Sequence, residues 1–225
     1  MVWLLLLLVV VIVVILFAMR PKTQASTLAE VEFADALSGA RREQQRLGDQ
    51  LDILEPSNDA ATQALADAAE CHASVAAQLG LATTPLQARV AKQTALEGLY
   101  YIRAARTAMH LDPGHAIPKL ANQNRAGHVT EDRTVIFQGR QITAAPTPSD
   151  HTPFYYPGTL VAGRPVPTGW YSEPWWRPAL LTGTWPPATP DLFTSLFTAM
   201  PDFPYDPATF ESGLPTDSPS DHPTR

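Results

Sequence analysis

The sequence has a single cysteine, Cys71, in 225 residues, which excludes an internal disulfide and a multi-thiolate metal site. Six scattered histidines do not replace the missing thiolates. Basic residues are also few: 16 Lys and Arg against 22 Asp and Glu give a formal net charge of −6. No basic stripe runs along the chain, which argues against nucleic-acid binding, where affinity comes mostly from Lys and Arg clustered against phosphates. Catalytic signatures are missing too: there is no Gly-x-Ser-x-Gly, no Gly-x-x-x-x-Gly-Lys, no His-Glu-x-x-His and no Cys-x-x-Cys. The expectation is therefore a protein that is not an enzyme, with no cofactor and no metal. Proline is scarce in the first half and dense in the second, 19 of 22 lying after Leu111. Negative charge is likewise concentrated, since Asp191 to Arg225 carries six acids and one arginine, or −5 of the −6.

What is present begins with eighteen residues, Val2 to Met19 (VWLLLLLVVVIVVILFAM), without charge, glycine or proline. At about 1.5 Å per residue they make a helix of roughly 27 Å, enough to cross a hydrocarbon core. A cleaved signal peptide would need a basic start, an apolar stretch of about 7–15 residues and a small-x-small cleavage site. No basic side chain precedes the run, and Arg20-Pro21-Lys22 stands where the cleavage site should be. The reading is an uncleaved single-pass anchor over residues 2–19. Arg20 and Lys22 lie just beyond it, so the positive-inside rule places residues 20–225 in the cytoplasm.

From Thr27 to Leu111 the chain is rich in Ala, Leu, Gln, Glu and Arg, with proline only at 56 and 85, where helices must break. The first helix is expected over Thr27–Leu54, on a heptad seam through Phe33, Leu37, Ala40, Gln44, Leu47, Leu51 and Leu54. A second runs from about Asp59 to Leu79, with Ser57 or Asn58 as N-cap and Gly80 as its C-terminal stop. A third starts at Thr84, capping with Pro85 in its first turn, and ends at Asp112-Pro113-Gly114. Short connections between helices of similar length give an antiparallel three-helix bundle over 27–111. Gln44 and His72 fall on the seam, either as a buried pair fixing register or at its wet edge. Cys71 and His72 are neighbours on a helix and point about 100° apart, so adjacency does not make them a thiolate-imidazole pair. Glu97, Arg103 and Arg106 stand where ion pairs to the other helices are open to them. His110 and His115 flank the end of the third helix and lack the further ligand a metal would need.

Residues 112–145 form a linker whose Thr134–Phe137, Gln138-Gly139 and Arg140–Thr143 read as a β-hairpin over 134–143. Residues 146–190 are interrupted by proline every few positions, so an irregular, extended segment without continuous helix or interior strand is expected. Its aromatics carry too much apolar area to stay solvated. Tyr155, Tyr156, Trp170, Tyr171, Trp175 and Trp176 are the candidate partner-binding residues. Three covers are open for them: the bundle, the membrane interface, or a protein partner. Within 191–225, Asp191–Met200 reads as a short amphipathic helix capped by Asp191 and closed by Pro201, and the remainder as an acidic disordered tail.

Two stretches carry a resemblance: Thr94-Ala-Leu-Glu-Gly-Leu-Tyr-Tyr-Ile-Arg-Ala-Ala-Arg-Thr-Ala-Met109, and Tyr155-Tyr-Pro-Gly158 with Gly163-Arg-Pro-Val-Pro-Thr-Gly-Trp-Tyr-Ser-Glu-Pro-Trp-Trp-Arg-Pro-Ala-Leu180. With these, the chain from about Met1 to Leu180 resembles a family of uncharacterised membrane-anchored actinobacterial proteins. The resemblance implies a bacterial plasma membrane and brings no catalytic residue. The layout of a short anchor and a long helical bundle is also similar in outline to LemA-type proteins. The fold class expected is mainly α, and the function a membrane-tethered structural or protein-interaction protein. The alternative is an exported envelope protein whose exposed aromatics stack on a carbohydrate or another envelope component.

Overall fold

A computed structural model describes residues 2–198 and 200, with side chains from residue 27 onward. The first helix, α1, is Val2–Leu51, so the bundle helix expected from Thr27 is the C-terminal part of a longer one and stops at Leu51 instead of Leu54. The anchor expected over 2–19 lies outside the residues whose side chains are described. Among the described residues, no helix is long and apolar enough to cross a membrane. The acidic tail expected after residue 201 likewise lies outside the described residues.

The second and third helices, α2 (Asp59–Leu81) and α3 (Pro85–Ala108), start where their capping residues dictate. Asn58 accepts a hydrogen bond from the Ala61 amide at 2.8 Å, satisfying one of the orphan donors at a helix start. Its amide nitrogen also donates to the Ala108 carbonyl at 2.8 Å, tying the start of α2 to the end of α3. Thr84 and Gln87 form a reciprocal capping box with Pro85 in the first turn. Gly80 does not stop α2, which continues to Leu81 and caps at Ala82 in extended backbone.

The three helices pack pairwise, with α2 antiparallel to α3 and α1 alongside both. Their interior is built largely of alanine: Ala40, Ala61, Ala64, Ala68, Ala91, Ala95 and Ala105 are all fully buried. Small side chains let the axes approach, and Gly98 marks the closest point. A Cβ there would run into the Leu47 side chain and sit 3.0 Å from the Cys71 Cβ. Gln44 and His72 are both half-buried, and His72 lies over Gly48, with its Nε2 at 3.1 Å from where a Cβ would stand. The wet-edge reading of these two residues is the one the structure supports.

The expected hairpin is present as β1 (Arg133–Phe137) and β2 (Arg140–Ala145). Gln138 and Gly139 both take positive φ, 50° and 76°, the backbone that matches the twist of a two-residue hairpin. The segment that follows is not irregular. It contributes β3 (Phe154–Tyr156), β4 (Thr159–Val161), β5 (Arg164–Val166) and β6 (Gly169–Tyr171). One antiparallel sheet has the order β1-β2-β6-β3, and β4 pairs with β5 in a second. The proline argument against an interior strand fails because β6, which lies between two partners, is Gly-Trp-Tyr and keeps all its donors. Pro165 sits in the two-stranded sheet, where an edge tolerates it. Gly169 is required by packing: a Cβ there would lie 2.5 Å from the Val129 Cγ2.

Alternation along these short strands divides the aromatics between two faces. Trp170 packs with Ala60, Ala61, Ala64, Ala104, Ala105 and Ala108 of the bundle, and Tyr155 joins the same side. Tyr156 and Tyr171 point the other way, into a cluster with Trp175, Trp176, Ile142 and Phe193. That second face is closed by two short helices, α5 (Arg177–Thr182) and α6 (Thr189–Phe197), while α4 (Gln123–Ala126) packs against β4 and β5. Leu192, Phe193, Leu196 and Phe197 of α6 are buried as expected, although the helix begins at Thr189-Pro190 and Asp191 lies inside its first turn. The sheet thus carries the bundle on one face and the aromatic cluster with α5 and α6 on the other.

Candidate binding cleft

On α2, Asp67, Cys71, Ser74 and Gln78 repeat at 4,3,4, and on α3, Thr94, Glu97 and Tyr101 repeat at 3,4, so each set lies on one helical face. These two faces form opposite walls of a cavity of about 420 Å³. The third wall comes from the other end of the chain: Phe154 of β3, then Pro174, Trp176, Arg177, Leu180 and Leu181. Leu180 and Leu181 are 51% and 81% exposed and form an apolar rim.

The charges in this cavity are unequally partnered. Arg177 donates to the Asp67 Oδ1 at 2.6 Å and lies 3.5 Å from the Glu70 Oε2. Gln63 adds a hydrogen bond to the same Asp67 oxygen at 3.1 Å. Even so, burial raises Asp67 above the usual carboxylate range, and the Gln63 and Arg177 contacts only partly offset it. Glu97 has no hydrogen bond and no ion pair among the described residues. Burial, then the neighbouring Asp67 and Glu70 charges, push its carboxyl up to about 7. The ion pair that its position on α3 suggested does not form.

Burial and the carboxylates of Glu97, Asp67 and Glu70 also push the Cys71 thiol well above its ordinary range. A thiol so held stays protonated, the opposite of what a nucleophilic cysteine requires. Two aromatic side chains line the same space. Tyr101 is 7% exposed and its hydroxyl makes no hydrogen bond among the described residues, and Trp176 is 3% exposed. Behind the wall, the Tyr156 hydroxyl is fully buried without a partner among the described residues, and its ionisation is opposed by burial first and by Glu97 second.

The six aromatics singled out in the sequence are core residues here. Tyr156 and Tyr171 are fully buried, Trp170, Trp175 and Trp176 nearly so, and Tyr155 is half-buried. Of the three possible covers, the chain itself supplies theirs. Only Trp176 lines the cleft. Cys71 faces the cleft while His72 lies on Gly48, so the two adjacent side chains serve different interfaces. His115 lines a separate recess of about 330 Å³ with Arg46, Arg103 and Arg106, and His110 is not among its walls. Among the described residues, no three His, Cys, Asp or Glu side chains are grouped to hold a metal ion.

A sequence signal for this cleft does exist. Asp67 and Glu97 are acids inside otherwise apolar helical runs, Ala-Leu-Ala-Asp-Ala-Ala and Ala-Leu-Glu-Gly-Leu. What the sequence does not reveal is that Arg177 closes the space between them from 110 residues away. No family model matches the chain, and no curated protein or solved structure matches it.

Proposed function

We propose that this is a membrane-tethered, non-catalytic interaction protein of the bacterial plasma membrane, anchored through residues 2–19, with its bundle and sheet on the cytoplasmic side. The observation that carries the reading is that α1 (Val2–Leu51) takes in both the uncharged run and the first bundle helix, which suits a tether continuous with a folded body. A second feature supports it. Leu28, Val31, Leu81, Leu86 and Val90 are all at least half exposed and belong to the end of the bundle that α1 enters, where Arg89 pairs with Glu32 at 2.8 Å. Exposed apolar side chains at that end suit a position close to a lipid surface. Burial and three neighbouring carboxylates hold Cys71 as a thiol, which favours the non-catalytic reading.

The alternative of an exported protein stacking its aromatics on sugars loses its platform, because Trp170, Tyr171 and Trp176 are 3%, 0% and 3% exposed. The tether is tested by fractionating cells that express the full chain and a Leu7→Lys, Val10→Lys variant. The parent should sediment with membranes and resist carbonate extraction, and the variant should move to the soluble fraction. A parent chain recovered in the soluble fraction sinks the proposal. Orientation is read separately, from labelling of a cysteine introduced after residue 201 by an impermeant thiol reagent in intact cells. Labelling from outside would refute the cytoplasmic placement.

A further inference from the structure

We propose that the cavity between α2, α3 and residues 174–181 binds a small organic cation, with the ammonium group on the Glu97 carboxylate and the carbon skeleton against Tyr101 and Trp176. The inference rests on the interaction role proposed above and names the chemistry of its ligand.

The geometry excludes the other ligand classes. Three carboxylates, Asp67, Glu70 and Glu97, face the cavity, and the one cation there among the described residues, Arg177, is already engaged by two of them. An anion entering would meet a surplus of negative charge with no free positive group. A neutral molecule would leave Glu97 beside two other carboxylates with no ion pair among the described residues. An ammonium group supplies the missing charge and up to three donors to that oxygen pair. The aromatic walls favour the same ligand, because the faces of Tyr and Trp rings attract cations within about 6 Å. The Tyr101 hydroxyl, on a side chain more than nine-tenths buried and without a hydrogen bond among the described residues, gives the ligand a further polar contact. The volume of about 420 Å³ suits one small molecule, since pockets for such ligands run from about 300 to 1,000 Å³. The exposed Leu180 and Leu181 at the mouth offer an apolar surface to an alkyl portion.

Proton linkage gives the proposal a second signature. The titratable and charged groups facing Glu97 are Asp67, Glu70 and Cys71 from α2, Tyr101 from its own helix, Tyr156 from β3 and Arg177 from α5. Burial and the Asp67 and Glu70 charges push the Glu97 carboxyl up to about 7, so it changes charge near neutrality, while an alkylammonium remains protonated up to about pH 10. Binding should therefore tighten as pH rises from 6 to 8, by about tenfold for a single carboxyl titrating midway.

The test uses the full chain, in lipid nanodiscs or, if it fractionates as soluble, in buffer, titrated calorimetrically with butylamine, with butan-1-ol as the uncharged control. Protein-free nanodiscs serve as the blank for partitioning into lipid. For a ligand of five heavy atoms, a dissociation constant of the order of millimolar is expected. Glu97→Gln, which keeps shape and removes the charge, should weaken butylamine at least about tenfold. Tyr101→Phe should weaken it by a smaller factor. Butan-1-ol should give no heat above the blank. Equal binding of butylamine to parent and Glu97→Gln, equal binding of the alcohol, a flat profile between pH 6 and 8, or no binding at all each overturns the proposal. Failure here and failure of the tether are separable. A chain that binds butylamine yet fractionates as soluble refutes only the anchor, and a membrane-bound chain that ignores butylamine refutes only the cation site.

Discussion

Ala61, Ala64, Ala95 and Ala105 fill the inside of the bundle, whereas Tyr156, Tyr171, Trp176 and Phe193 fill the far side of the sheet. Both interiors are fully buried, but they are held together by different means. Alanine loses no side-chain entropy on folding and allows close helix approach, so the bundle relies on helix propensity, caps and many small contacts. Three-residue strands have little of their own to rely on, and the sheet gains its stability from large rings. Tyr156 and Trp176 lie 4.9 Å apart between ring centres, Tyr171 and Trp176 4.9 Å, and Phe193 and Phe197 4.8 Å. The comparison shows that proline-rich composition and a packed core are compatible when aromatics stand beside the prolines in short strands.

The difference can be pressed from both sides. Trp176→Ala removes a ring that touches Tyr156, Tyr171 and Trp175, and it should cost about 3–5 kcal/mol, measured by urea unfolding. No alanine position in the bundle should approach that figure on substitution by glycine, where about 1 kcal/mol is the scale. The bundle is expected to fail in the opposite sense, through addition of atoms. Gly98→Ala places a methyl against Leu47 and Cys71 and should destabilise by about 1–3 kcal/mol despite alanine's better helix propensity.

Glu97 lies where the bundle meets the sheet segment, and it makes stability depend on pH. Its folded pKa of about 7 lies above the ordinary carboxyl value of 4.5, so between those values the folded chain holds a proton that the unfolded chain has lost. The corresponding stability is present below about 4.5 and is lost as pH rises through about 7, a change of about 1–2 kcal/mol after allowance for water in the cavity. Melting curves across that window should show the decline in the parent chain and a flatter profile in Glu97→Gln. The smallest effect expected is at the cap: Asn58→Ala should cost about 1 kcal/mol, seen as a shift in urea midpoint without a change in slope.

These contrasts also explain what the sequence discloses. Helix starts at Asn58 and Thr84-Pro85 and the Gln138-Gly139 turn are legible because each is set by residues within four positions of one another. Strands β3 to β6 are not, because three residues are too few to establish a period-2 pattern, and β3 finds β6 across an intervening hairpin. The aromatics announce that they are buried, yet alternation along unseen strands decides which face each takes. The cleft is the least legible part. Asp67 and Glu97 stand out as acids in apolar runs, but their meeting with Arg177 and Trp176 depends on the whole sheet being in place.

The central position of β6 has a further consequence, in time. Ala61, Ala64 and Ala105 are covered by Trp170, and Trp170 leaves the ribosome about 60 residues after α3 is complete at Ala108. At about 5–20 residues per second, the helices wait roughly 3–12 s for their cover. A face of leucines left open for that long would invite association with other nascent chains. A face of alanines offers little to adhere to, so the side chains that make the finished bundle a light core also make the unfinished one safe to leave uncovered.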